Sequence, residues 1–227
     1  MKITIAYLYY DLLNFYGDSG NIKILSQYLN KQNIDVDIKY LSLEDELNFS
    51  DYDFIYIGMG INENLLVAKN HLIKYKDEIK EAIENNKFFL CTGNSYELFG
   101  KTINNEEALG IFDYETEYLG INNPIEVDSK CDLIDTNIIG FINRLSKNNN
   151  KANYFLVDIE EGILYKNFIG TYTLGPILVR NPKLLEYLAH KIISSKDEEY
   201  QFENINLDIY EDAYNDCIER RKKNNQA

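Results

Sequence analysis

The chain has 227 residues, 45% of them hydrophobic and 26% charged, which suits one large α/β domain or two small ones with a proper core. Its formal net charge of −14 argues against nucleic acid or an anionic membrane surface as a partner, because both demand a basic footprint. No apolar run approaches the roughly 18 residues of a membrane span, the N-terminus lacks the apolar stretch of a signal peptide, and three widely spaced cysteines suit reduced thiols in a cytoplasmic protein.

Residues 2–9 (KITIAYLY) alternate and are β-branched, which predicts a first buried strand. Turn formers follow at Gly17-Asp18-Ser19-Gly20, then a helix over 22–32 with Ile22, Leu25 and Leu29 on one face. Residues 34–41 alternate and predict a second strand. Residues 52–57 (YDFIYI) are nearly all apolar, as a central parallel strand requires, and end at Gly58-Met59-Gly60. That triplet is too short to be a phosphate loop by itself. A helical region spans 63–86, with a break near Asn70, and residues 87–92 predict a fourth strand. Strands alternating with helices predict an α/β fold: a doubly wound, mostly parallel central sheet flanked by helices.

The second half changes texture. Short strand-like runs at 118–127, 137–143, 154–158 and 163–172 are separated by Asn, Gly and Asp turns, and predict a largely antiparallel extension of the same sheet. Asn181-Pro182 opens a helix over 183–194, and a last helix from about Asp208 frays into a charged end. No Pro/Gly/Ser linker interrupts the chain. Residues 1–200 are expected to form one domain and 201–227 a helical extension.

The stretch 87–100, KFFLCTGNSYELFG, runs from an apolar strand through Gly93-Asn94-Ser95 into an amphipathic helix. Such a strand–turn–helix junction is where many α/β enzymes expose a nucleophile. Together with three other segments it resembles the class I glutamine amidotransferase domain of the cobyric-acid-synthase-like type, most closely the GatD subunits of lipid II isoglutaminyl synthases. The first segment is Tyr10-Asp11-Leu12-Leu13-Asn14-Phe15-Tyr16-Gly17-Asp18-Ser19-Gly20-Asn21, against a family pattern near YPDLLNLYGDRGN. The second is Gly58-Met59-Gly60-Ile61-Asn62, against GGGQD. The elbow Gly93-Asn94-Ser95-Tyr96-Glu97-Leu98-Phe99-Gly100 stands against CGGYQLLG. The fourth segment, residues 161–182, stands against EGVxYxNxxGTYLHGPLLxRNP.

The resemblance covers about residues 3–195 and implies a glutaminase that passes ammonia to an ATP-dependent, Mur-ligase-like synthetase. In that family an elbow Cys attacks the glutamine carboxamide to form a thioester. A His serves as base and acid, and backbone N–H groups near the glycine loop hold the oxyanion. No cofactor is implied. This chain departs from the pattern where it matters most. The nucleophile position falls on Gly93 and the His position on Leu174, while Arg144 replaces a His in a GFENHGG-like stretch.

Neither glycine nor leucine can carry the chemistry, so no catalytic residue is expected. Cys91 is the fallback nucleophile, two residues before Gly93; the competing reading is a core thiol on a central strand. Cys131 and Cys217 read as packing or surface thiols. Ser95 has no histidine nearby in sequence. His71 and His190 read as solvated or capping helix residues, and no spacing suggests a metal site.

The expected function is therefore a degenerate amidotransferase-like subunit that partners a synthetase without making ammonia. The alternative is an active glutaminase serving cell-wall or cobyrinate-type amidation. A third reading keeps a pocket for a small carboxylate or carboxamide, formed by Gly58, Gly60, Asn62, Gly93, Asn94, Ser95 and Arg144.

Overall fold

The computed structural model describes residues 1–122 and 124–224. The first half follows the predicted alternation: β1 (Lys2–Leu8), α1 (Ser19–Lys31), β2 (Asp35–Leu41), β3 (Phe54–Ile57), α2 (Asn62–Leu72), α3 (Lys76–Glu84) and β4 (Phe88–Thr92). The predicted long helix does break, but at a 3-10 turn over Ile73–Tyr75, a few residues after Asn70. β4 runs into a further 3-10 helix, Gly93–Phe99.

Seven short strands come next. They are β5 (Thr102–Ile103), β6 (Glu106–Glu107), β7 (Glu115–Tyr118), β8 (Ile125–Ser129), β9 (Ile138–Ile142), β10 (Ser146–Asn148) and β11 (Ile163–Tyr165). Then follow β12 (Phe168–Thr171), β13 (Thr173–Leu174), α4 (Ile177–Arg180), α5 (Pro182–Ser194) and α6 (Asp208–Asn224). Residues 225–227, the predicted frayed end, lie outside the described residues.

The central sheet has the order β11-β12-β4-β3-β1-β2, with every neighbouring pair parallel except β11 against β12. The chain steps from β1 out to β2, then returns to the other side of β1 as β3. The crossovers therefore leave in opposite directions and cover opposite faces of the sheet. At such a reversal the loops past the strand C-termini diverge and leave a crevice. The loops after β1, β3 and β4 all open there.

The second half corrects the prediction in two respects. Only β11 and β12 extend the central sheet. The other strands form separate four-stranded (β10-β7-β5-β6) and three-stranded (β13-β9-β8) sheets. Residues 154–158 make no strand, only a bridge between Leu156 and Glu161. Strand periodicity is local, but which sheet a short strand joins depends on distant partners.

The three-stranded sheet is tied to the helices by Asn181, which is buried. Its side chain accepts the Ile139 N–H at 2.8 Å and donates to the carbonyls of Ile139 and Ile177 at 2.9 and 2.8 Å. From the far side, the Arg221 side chain of α6 donates to the Val127 and Gly140 carbonyls, and Tyr214 donates to the Asn137 carbonyl at 2.8 Å. Asn181→Ala would leave a buried N–H and two carbonyls short of a partner. It should cost about 2–4 kcal/mol of stability by urea unfolding.

Candidate functional site

Gly93 follows β4 directly and has φ +64°, the left-handed region that L side chains rarely adopt. This is the strained turn that exposes a nucleophile in α/β enzymes. A Cβ placed on Gly93 would lie 2.5 Å from Cβ, 2.7 Å from Cγ and 2.9 Å from Sδ of Met59. The Met59 Cβ is fixed by the backbone and cannot swing aside, so the space before the elbow is already filled. Met59 was not among the residues singled out from sequence. The signal was present, since the family pattern has glycine at that place in the loop.

The backbone donors beside the elbow are also engaged. Asn94 makes a two-way bridge to Gly60: its side chain accepts the Gly60 N–H at 3.2 Å and donates to the Gly60 carbonyl at 2.8 Å. Asn94 also reaches Asn62 Oδ1 at 3.4 Å. Ser95 is fully buried and points its hydroxyl at the Ile57 and Thr92 carbonyls, 2.9 and 2.8 Å away. All seven residues of the 3-10 helix are buried, so the predicted amphipathic helix is in fact enclosed on every side. Asn94 thus ties the elbow to Gly60 and Asn62, Ser95 turns inward to Ile57 and Thr92, Gly93 abuts Met59, and Gly58 packs against Leu13 and Asp18.

Arg144 lies apart from this cluster. Its guanidinium sits 4.2 Å above the Tyr172 ring. Thr171 of β12 pairs in parallel register with Thr92 of β4, so residues 172–174 leave the sheet beside Gly93. Leu174 is buried there, in β13, opposite Phe141 of β9. Cys91 is buried mid-strand, between Ile57 of β3 and Gly170 of β12, and desolvation pushes its thiol well above the ordinary range. A thiol in that state is neither ionised nor reachable. Cys131 is buried and Cys217 half-buried.

The histidines are neither solvated nor capping. His71 is half-buried and hydrogen-bonded to the Tyr9 hydroxyl at 2.8 Å. His190 bonds the Tyr28 hydroxyl at 2.9 Å and stacks on Phe202, with centroids 3.9 Å apart. Each serves a tyrosine in the packing of its helix. Among the described residues, no group of His, Cys, Asp and Glu is placed to hold a metal.

Three buried carboxylates were not anticipated. Asp18, in the loop after β1, accepts the Met59 N–H at 2.6 Å and the Thr92 hydroxyl at 3.4 Å. It ends a relay in which Asn21 donates to the Tyr56 hydroxyl at 2.8 Å and Tyr56 meets the Thr92 hydroxyl at 2.8 Å. Glu161 accepts the Tyr172 N–H at 2.6 Å and the Thr171 hydroxyl at 2.7 Å. Glu97 accepts the Ser146 hydroxyl with one oxygen, while the other finds no protein partner among the described residues. Burial pushes all three carboxyls up to about 7, against the pull of these donors. Each of the three is thereby biased toward its protonated form near neutrality.

The architecture is that of the glutamine amidotransferases. A solved glutamine amidotransferase from Thermotoga maritima matches with a TM-score of 0.52 at 13% identity, over 87% of this chain and 86% of that one. A second glutamine amidotransferase structure matches with a TM-score of 0.55 at 13% identity, over 83% and 98%. At such identities the likeness establishes the fold alone. The sequence takes the assignment further: the CobB/CobQ-like glutamine amidotransferase domain matches residues 4–182, and the chain belongs to that family. Among relatives, the lipid II isoglutaminyl synthase (glutamine-hydrolyzing) subunit GatD of Staphylococcus aureus (strain N315) is 29% identical, covering 100% of this chain and 99% of its own. The GatD subunit of Streptococcus pneumoniae (strain ATCC BAA-255 / R6) is 28% identical, covering 93% and 86%. The family membership inferred from the four matched segments is borne out.

Glu97 gives a pH test. Its folded-state pKa lies above the ordinary value of about 4.3, so the native chain retains a proton that the unfolded chain has released. The stability it contributes is complete below the unfolded value and is lost as pH rises through about 7; Asp18 and Glu161 act with the same sign. Urea midpoints measured at pH 5, 6.5 and 8 should fall with pH. Glu97→Gln should flatten that slope and be the more stable protein at pH 8.

Proposed function

We propose that this chain is a GatD-like amidotransferase subunit without glutaminase activity, retained as the partner of an ATP-dependent, Mur-ligase-like synthetase. The observation that carries this reading is the occupied elbow. Gly93 keeps the left-handed turn of a nucleophile position, and Met59 stands where the nucleophile would project. Leu174 supplies no proton-carrying group at the partner position, and Gly60 spends its N–H on Asn94. An active site needs nucleophile, base and oxyanion donors together, and losing one already forfeits most of the rate.

The GatD relatives are subunits of lipid II isoglutaminyl synthases, and their similarity covers 100% and 93% of this chain. We accordingly place the chain in amidation of a cell-wall precursor, as a structural subunit of the synthetase assembly. Nitrogen would then reach the synthetase by another route. The reading in which Cys91 drives a glutaminase gains nothing from the burial and raised pKa of its thiol.

Glutamate release from glutamine, measured for the pure chain and for its complex with the synthetase, should stay at the uncatalysed background in both. Turnover abolished by Cys91→Ala would sink the proposal. Gly93→Cys alone should remain inactive and destabilise the fold by about 1–3 kcal/mol, as overpacking does. Adding Met59→Gly should recover part of that loss by removing the clash, the positive φ at position 93 keeping the rest. Measurable glutaminase activity is expected only when Leu174→His is added to both.

A further inference from the structure

A pocket of about 490 Å³ opens beside β10, away from the elbow. Of the residues expected to form a ligand site, only Arg144 lines it. Lys147 and Lys151 join Arg144 at its polar wall, and Ile125, Ile142 and Ile159 make an apolar one.

Three cations at one pocket are unexpected in a chain with 23 Lys and Arg against 37 Asp and Glu. Eight basic side chains elsewhere are ion-paired: Lys2, Lys39, Lys69, Lys101, Lys166, Lys183, Lys196 and Arg221. Among the described residues, Arg144, Lys147 and Lys151 pair with none. The Arg144 guanidinium lies 4.2 Å from the centre of the buried Tyr172 ring, and its N–H donors meet no protein acceptor among the described residues. A fixed guanidinium with a free donor edge matches the fork of a carboxylate or phosphate.

Two acids also line the pocket. Glu161 spends both oxygens on Thr171 and Tyr172, and burial favours its neutral form, although the Arg144 charge pulls the other way. Glu160 is exposed. Around the Arg144 stack, Tyr96, Glu97, Tyr118, Asn143 and Thr173 each bury a polar atom with no protein partner. Tyr96 packs on Tyr172 at 5.3 Å, Glu97 accepts from Ser146, Tyr118 pairs with Ser146, and Thr173 pairs with Ile142. None of these five residues lines the pocket; they form the polar packing behind Arg144.

We infer that this pocket binds an organic oxyanion, its carboxylate or phosphate held by Arg144 with Lys147 and Lys151, and its apolar body resting on Ile125, Ile142 and Ile159. The site works without the elbow and without a synthetase.

Calorimetric titration of the full chain at low salt with 3-phenylpropionate, phenyl phosphate, inorganic phosphate and neutral 3-phenylpropanamide tests it. At least one of the two organic anions should bind saturably, and the tighter one identifies the head group. The amide should bind about tenfold more weakly or not at all, as should Arg144→Ala toward the anion. The exposed pair Lys147→Ala/Lys151→Ala, which leaves the core untouched, should weaken it severalfold and flatten its salt dependence. Absence of saturable binding by both organic anions would overturn the inference. So would unchanged affinity in Arg144→Ala or in the double lysine variant. Inorganic phosphate binding as tightly as the organic anions would remove the apolar contact from it.

Discussion

The hydrogen bond from the Met59 N–H to Asp18 holds the cleft together. Asp18 comes from the loop after β1, Met59 from the loop after β3, and Thr92, the second donor, from the end of β4. One buried carboxylate thus gathers the three strand ends that flank the topological reversal. The relay behind it reaches Asn21 of α1, which in turn accepts the Leu178 N–H at 2.9 Å. The backbone frame of an amidotransferase cleft is therefore stabilised by groups that take no part in attacking a carboxamide. Such a frame persists when the reactive side chains are gone, because its hydrogen bonds and buried surface are independent of them.

This division explains what could be read from the chain. The order of strands and helices in the first half is written in local periodicity: continuous apolar runs for β3 and β4, and a 3.6-residue stripe for α1 and α5. Family membership was legible for the same reason, since the frame carries long stretches of matching residues. The expectation for Gly93 and Leu174 came from the same source, because a motif fixes its own register.

Other features depend on contacts between distant residues. Met59 reads as an ordinary apolar residue between glycines until its Cβ is set against the elbow. Glu97 reads as the polar face of a helix until the segment proves to be a 3-10 turn covered by Ser146 and Tyr172. Asp18 reads as a turn residue in a run of turn formers. The strands between residues 102 and 148 look alike in sequence, and only long-range pairing separates them into two small sheets. Arg144 was noticed as a replacement at a motif position, yet its setting over Tyr172 follows from β9 and β12–β13 meeting there.

The packing of Met59 against Gly93 also gives this chain a direction in sequence space. With methionine at 59, any side chain at 93 is excluded by the backbone-fixed Cβ, so selection on single changes at the elbow sees only their cost. With glycine at 59, the same changes would be tolerated in space. The two positions are thus ordered: position 59 must open before position 93 can be refilled. A side chain with no chemistry of its own acts as a ratchet on the chemistry of its neighbour.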